Sequence, residues 1–281
     1  MPTFDTPQPI SVTLSLGFVV GNVRITADDR TETTVDVRPV DPDSKPDRKI
    51  AEQTRIEYAD GKLLVRAPRL GSLFTRSGGV DVTVALPAGS RVEGETGMGE
   101  VRFDGRLGEC RFKNGYGDIR IDRAGPVRLN SGSGAVLVEH VDGGAEVTAS
   151  NGDIRIHRID GPARVQNSNG DSWIGEVTGD VRLKAANGSI TVDRAHADVT
   201  AKTANGGVSV GEVVRGTVTL ETAAGPLEVG IREGSAAWLD LDTTAGRVRN
   251  ELTPSAAPGN SDETVKVRAV TSVGDIVVRR S

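Results

Sequence analysis

The side chains of this 281-residue sequence whose types could support chemistry are few: three histidines, one cysteine, two tryptophans and two rows of arginines. His140, His157 and His196 show no zinc-ligand spacing, have no cysteine beside them, and lie far from any Gly-x-Ser-x-Gly nucleophile turn. They are expected at exposed corners. Cys110 is alone, so an internal disulfide is excluded, and its place among apolar residues predicts a small core hydrophobe. Asp118, Asp153, Asp171 and Asp275 each follow a glycine, which raises calcium binding, but the nonapeptide repeat that assembles such ligands is missing. Gly97-Met98-Gly99, Gly115-Tyr116-Gly117 and Gly132-Ser133-Gly134 resemble phosphate loops only superficially. Each opens a strand pattern, so no helix amino terminus is available to cradle an anion. No catalytic, metal or cofactor set is expected.

The arginines form a more suggestive pattern. Arg102, Arg120 and Arg155 recur in one alternating phase, and Arg111, Arg128, Arg164 and Arg182 in another, with Trp173 in an outward phase of its own segment. Such rows could grip an anionic polymer, lipid headgroups or an acidic partner. Glu146 interrupts the second row, and Asp104, Asp122 and Glu139 lie close by. Mixed-sign rows that keep an extended sheet soluble are the simpler reading.

These residues are positioned by a repeat. Asn-Gly recurs at 151–152, 169–170, 187–188 and 205–206, each 18 residues after the last. Aligned on the turn glycine, the series runs Gly99, Gly117, Gly134, Gly152, Gly170, Gly188, Gly206, Gly225, Gly246, Gly274. Two residues past each stands an apolar residue, except Ser172; four past stands another, with a break at Asn250. A corner column follows at Val141, Ile159, Val177, Ala195 and Val213. Before each turn, columns headed by Cys110 and Phe112 supply the opposite strand, and a small or polar column runs Thr96, Asn114, Ser131, Ala149, Asn167, Ala185, Thr203, Thr222, Thr243, Thr271. Period-2 alternation that recurs at a fixed interval predicts parallel strands stacked rung on rung. The fold class is therefore all-β: a single-domain parallel β-solenoid of about 18 residues per rung, with right-handed coiling expected as for other parallel crossovers. Stacked Asn151, Asn169, Asn187 and Asn205 should hydrogen-bond from rung to rung.

Residues 1–98 form an irregular lead section, and 99–281 the regular rungs. Leu14, Leu16, Phe18, Gly21, Val23 and Ile25 make one outlying rung. Strand patterns follow at 32–37, 55–58, 62–66 and 80–86, with Asp60-Gly61 as a hairpin turn. A charged excursion spans 39–50, the best helix candidate is 47–54, and loops are expected at 70–79 and 253–263.

The order of these parts resembles the bacterial β-strand-repeat "Toastrack" family, also described as putative adhesins. The resemblance rests on the early rung, the charged excursion, the strand 62–66, the stretch Val-Asp-Val-Thr-Val-Ala-Leu-Pro-Ala-Gly-Ser from Val80, and the Gly-Asp-Ile-x-Ile rungs. It covers nearly the whole chain. It implies a β-solenoid and a non-catalytic scaffold or ligand-sensing role, often linked with envelope stress systems, and supplies no catalytic residues. Members frequently carry transmembrane segments; no apolar run here approaches the roughly 20 residues of a membrane span.

The net charge of −5 and pI near 5.4 weigh against generic nucleic-acid binding. The amino terminus lacks the basic and apolar regions of a secretory signal, so a cytoplasmic protein is expected. The favoured function is a non-enzymatic scaffold that presents an extended face to a protein partner or to another copy of itself. The alternatives are an envelope adhesin for glycan or anionic polymer, and a carbohydrate-active enzyme, which as a hydrolase needs two carboxylates roughly 5–10 Å apart in a groove.

Overall fold

The structure of the protein, a computed structural model, describes residues 1–68, 78–252 and 263–281. The loops expected at 70–79 and 253–263 fall almost wholly outside these residues. The chain forms two compact units, Met1–Asp142 and Gly143–Ser281. In both, strands that precede the turn glycine build one sheet and strands that follow it build another.

In the second unit the pre-turn strands Ala145–Asn151, Ala163–Asn169, Val181–Asn187, Val199–Asn205 and Gly216–Ala224 stack in parallel. The post-turn strands Ile154–Ile159, Ser172–Val177, Ile190–Ala195, Val208–Val213 and Leu227–Ile231 do the same. The register is the one the columns predict: Ile156 pairs with Ile174, Ile174 with Val192, and Val192 with Val210. All four are fully enclosed, as are the corner residues Ile159, Val177, Ala195 and Val213. Burying each Val or Ile contributes about 1.5–3 kcal/mol, so these columns are the main source of stability.

One expectation is corrected. The last two rungs do not stack in sequence order. Strands Thr264–Val273 and Ile276–Arg280 insert directly onto Gly216–Ala224 and Leu227–Ile231, and the earlier segments Ala236–Ala245 and Val248–Asn250 lie outside them. The threonines before the turn confirm this order: buried Thr271 donates to the Gly225 carbonyl at 3.1 Å, and half-buried Thr243 to that of Gly274 at 2.9 Å. The break at Asn250 marks the outermost rung.

The first unit has the same device at its other end. Ser11–Val20 and Val23–Asp28 pair with Arg91–Met98 and Val101–Arg106 on one side. On the other side they pair with Lys62–Arg66 and Val80–Pro87. Beyond that rung the chain turns antiparallel: Arg55–Ala59 closes one sheet, and Glu32–Pro39 followed by Thr3–Asp5 closes the other. The lead section is thus a cap. The Asp60-Gly61 turn is as expected, with both residues at positive φ (49° and 70°). The helix is Lys45–Gln53, two residues earlier than expected, because Ser44 caps it: Asp47 donates its N–H to Ser44 Oγ, and that hydroxyl donates back to the Asp47 carboxylate at 2.8 Å. Its buried face is Ile50.

Two features fix the corners. Except for Gly246, the turn glycines from Gly99 onward adopt φ of 119° to 155°, and Gly117, Gly134, Gly170, Gly188, Gly206 and Gly225 each lie against the carbonyl of the turn glycine one rung before. A Cβ on Gly188 would stand 2.1 Å from the Gly170 oxygen. The polar column then satisfies buried carbonyls: Asn167 Nδ2 donates to Gly152 O (2.9 Å) and Gly170 O (3.0 Å), and Thr203 donates to Gly188 O (3.1 Å). Ser172 is the misfit, buried between Ile154 and Ile190 with its hydroxyl unpartnered by protein.

Two substitutions test this description. Gly234 has φ of +83° but open space, so Gly234→Ala should cost about 1–2 kcal/mol from backbone strain alone. Gly188→Ala adds the collision and should cost at least twice as much by urea denaturation. Conversely, Ser172→Val should raise stability by about 1 kcal/mol, because a buried orphan hydroxyl is replaced by apolar contact; an unchanged or lower midpoint would refute that account.

Candidate functional site

The outward side chains are organised by the same register. In the first unit Arg24, Arg102 and Arg120 align across three rungs and flank a depression of about 300 Å³. Asp81, Glu100 and Asp118 line the same depression. Arg102 Nε donates to Asp104 at 2.8 Å, and Arg120 meets Asp118 at 3.4 Å. Arg111, on the other sheet, pairs with Glu109 at 2.6 Å and aligns with Arg128. The recurring element is an arginine with a carboxylate two residues away, on the same strand for Asp104 and just before the strand for Glu109 and Asp118, which local alternation places side by side. Arg102, Arg111 and Arg120 thus each have a carboxylate partner beside them.

In the second unit Arg164 and Arg182 are adjacent and exposed, with Glu146 flanking Arg164. Arg155 aligns with Trp173. Trp173 is half-buried: its Nε1–H donates to Asp193 at 3.1 Å, and its ring meets His157 edge-on at 4.8 Å. It is a fastened part of the wall.

The aspartates after turn glycines accept corner amides. Asp153 takes the Asp171 N–H at 3.0 Å, Asp171 that of Ser189 at 2.8 Å, and Asp275 that of Arg247 at 2.9 Å. That use accounts for their position without an ion. The asparagine row forms as expected, Nδ2 to Oδ1, at 3.0 Å (Asn169 to Asn151), 2.9 Å (Asn187 to Asn169) and 2.9 Å (Asn205 to Asn187).

A column six residues past the turn glycine, not singled out in the sequence, carries alternating charge in register: Arg158, Glu176, Arg194, Glu212. Arg158 meets Glu176 at 2.8 Å and Arg194 meets Glu212 at 3.0 Å. His196 Nε2 lies 2.8 Å from Glu176, and this hydrogen bond, with the nearby arginine charges, holds the Glu176 carboxyl below its usual range. His140 is likewise half-buried and lies 3.2 Å from Asp142; only His157 is exposed as expected.

The site that sequence reasoning passed over is the outermost rung of the second unit. Trp238 is 67% exposed and borders a depression of about 370 Å³ with Thr217, Asp240, Lys266 and Arg268. Among the described residues, strand Ala236–Ala245 is hydrogen-bonded on one side only, as is Val248–Asn250. The inward residues of this rung are uncovered: Leu239 and Leu241 are half-buried and Val248 is 45% exposed. Outward stand Trp238, Asp240 and Asp242 before the turn, and Arg247 and Arg249 after it. The break at Asn250 was the available signal. The inverted stacking that exposes the rung was not legible.

No protein-family model matches this chain, and no curated protein does. Among solved structures, a putative cell adhesion protein from Clostridium sporogenes is similar at 13% identity, covering 100% of this chain and 98% of that one, with a TM-score of 0.24. A putative adhesin from Bacteroides fragilis is similar at 9% identity, covering 100% and 95%, with a TM-score of 0.32. A putative adhesin from Parabacteroides distasonis is similar at 11% identity, covering 98% and 95%, with a TM-score of 0.38. Among the described residues no helix is long and apolar enough to cross a membrane.

Cys110 is fully enclosed between the Val92 and Val127 positions, and burial pushes its thiol up to about 12. The thiolate is the reactive form, so the folded protein should resist alkylation at pH 8 and react only on unfolding. Rapid stoichiometric labelling of the native protein would contradict this placement.

Proposed function

We propose that the protein is a non-enzymatic interaction module, a β-solenoid that presents rigid sheet faces and docks a protein partner around its outermost rung. The observation that carries this reading is Trp238. A tryptophan 67% exposed on a strand held in register by hydrogen bonds is a preformed contact, with little conformational entropy left to lose. Lys266, Arg268 and Asp240 surround it with polar groups, the usual composition of a rim around an aromatic anchor.

The anionic-polymer alternative is less well supported, because Arg102, Arg111 and Arg120 are engaged by carboxylates two residues away in the chain. The carbohydrate-active alternative finds no support in the arginine-lined depression, whose Asp118 accepts the Ala135 N–H at 2.9 Å as a corner cap. The family resemblance favours a place in envelope stress or signalling.

Trp238→benzoylphenylalanine tests the reading by photo-cross-linking in the source cells, with Lys184→benzoylphenylalanine, on an exposed mid-sheet position, as control. A discrete adduct from position 238 that is missing from 184 is the expected result. Equal or no adducts at both positions would remove the reading.

A further inference from the structure

We propose that the outermost rung of the second unit docks edge to edge against the same rung of a second copy of this chain, related by a two-fold axis. The inference rests on the reading that this rung is the contact surface, and names its partner.

The edge is a template with vacant valences. Throughout the second unit the N–H of an inward residue donates to the next rung outward, as Val181 N–H does to Asp198 O at 2.8 Å and Ile276 N–H to Arg247 O at 2.9 Å. The same register points the N–H groups of Leu239, Leu241 and Val248 away from the unit, where no further rung follows among the described residues. Leu241 and Val248, inward in phase, face the same vacancy. Unpaired edges of this kind are normally covered or repelled.

Charge decides what covers it. The pre-turn half of the edge is acidic, with Asp240 and Asp242; the post-turn half is basic, with Arg247 and Arg249. Among the described residues, no ion pair engages Asp242, Arg247 or Arg249, and Asp240 reaches Arg268 only at 3.9 Å. The two halves of one rung run in opposite directions. A two-fold axis along the strands therefore sets the pre-turn strand of one copy antiparallel to the post-turn strand of the other, twice over. In one in-phase register Asp240 faces Arg249, Asp242 faces Arg247, and Leu241 meets Val248. In the adjacent one Asp242 faces Arg249. Either places acid beside base. The other two-fold, pre-turn against pre-turn, sets aspartates against aspartates and is disfavoured. The contact is isologous, so it ends at two copies. It is narrower than the ~1,200–2,000 Å² of a standard interface, so affinity on the order of micromolar is expected.

Sedimentation velocity of the full chain over a concentration series, from about 1 to 200 µM, gives the test. The wild type should pass from monomer to dimer. Asp240→Arg/Asp242→Arg makes both halves basic, Arg247→Asp/Arg249→Asp makes both acidic, and each variant alone should remain monomeric, at least tenfold weaker. Mixed one to one, the two variants regain complementarity at both contacts and should form a heterodimer, which misfolded proteins would not do. A wild type monomeric throughout, or variants that dimerise as well as the wild type, overturns the proposal. The cross-linking at position 238 separates the two claims: an adduct of twice the chain mass is self-docking. An adduct of another mass overturns self-docking and leaves the interaction-module reading in place.

Discussion

The constraint on which the rest depends is the contact of one turn glycine with the next. Within each unit the turn sets one glycine against a carbonyl of its neighbour, as Gly117 lies on Gly99 and Gly188 on Gly170, a separation that excludes any side chain. Successive corners can therefore lie directly over one another, and the strands on both sides of the turn inherit a common register. A corner displaced by one residue would turn every apolar side chain of that rung to water. Hydrophobic burial supplies the energy, but the glycine column sets the phase in which it is collected.

Close stacking creates a second requirement. Carbonyls at the corners are withdrawn from water and need donors. Asparagine and threonine just before the turn meet that need from inside the coil, and aspartate just after it accepts the opposing amide from outside. Residues that look like ligands for ions or phosphate are thus consumed by the backbone. The chemistry available to the surface is what these duties leave over, which concentrates attention on the outermost rung.

Most of the architecture was legible because the period is fixed and the alternation strict: the columns through Ile156 and Val165, the asparagine row and the Asp60-Gly61 hairpin could be read from spacing. The stacking order of the last two rungs could not. Val267 and Leu239, Ala269 and Leu241, Thr271 and Thr243 are equivalent occupants of the same columns, so composition does not reveal which rung lies beneath. The antiparallel cap was hidden for a similar reason, since an alternating strand such as Glu32–Pro39 pairs equally well in either direction. Trp173 drew attention by its outward phase, yet Asp193 and His157, distant in sequence, tie it down. Trp238 stands out only once the inversion is known.

That inversion bears on how the chain is built. Residues 236–250 leave the ribosome before the segment on which they finally rest, so the last coil cannot be laid down in order of synthesis. The nascent chain must either keep those residues waiting or let them borrow the surface of Gly216–Ala224, then surrender it when residues 264–280 arrive. Completion of the coil is an act of intercalation.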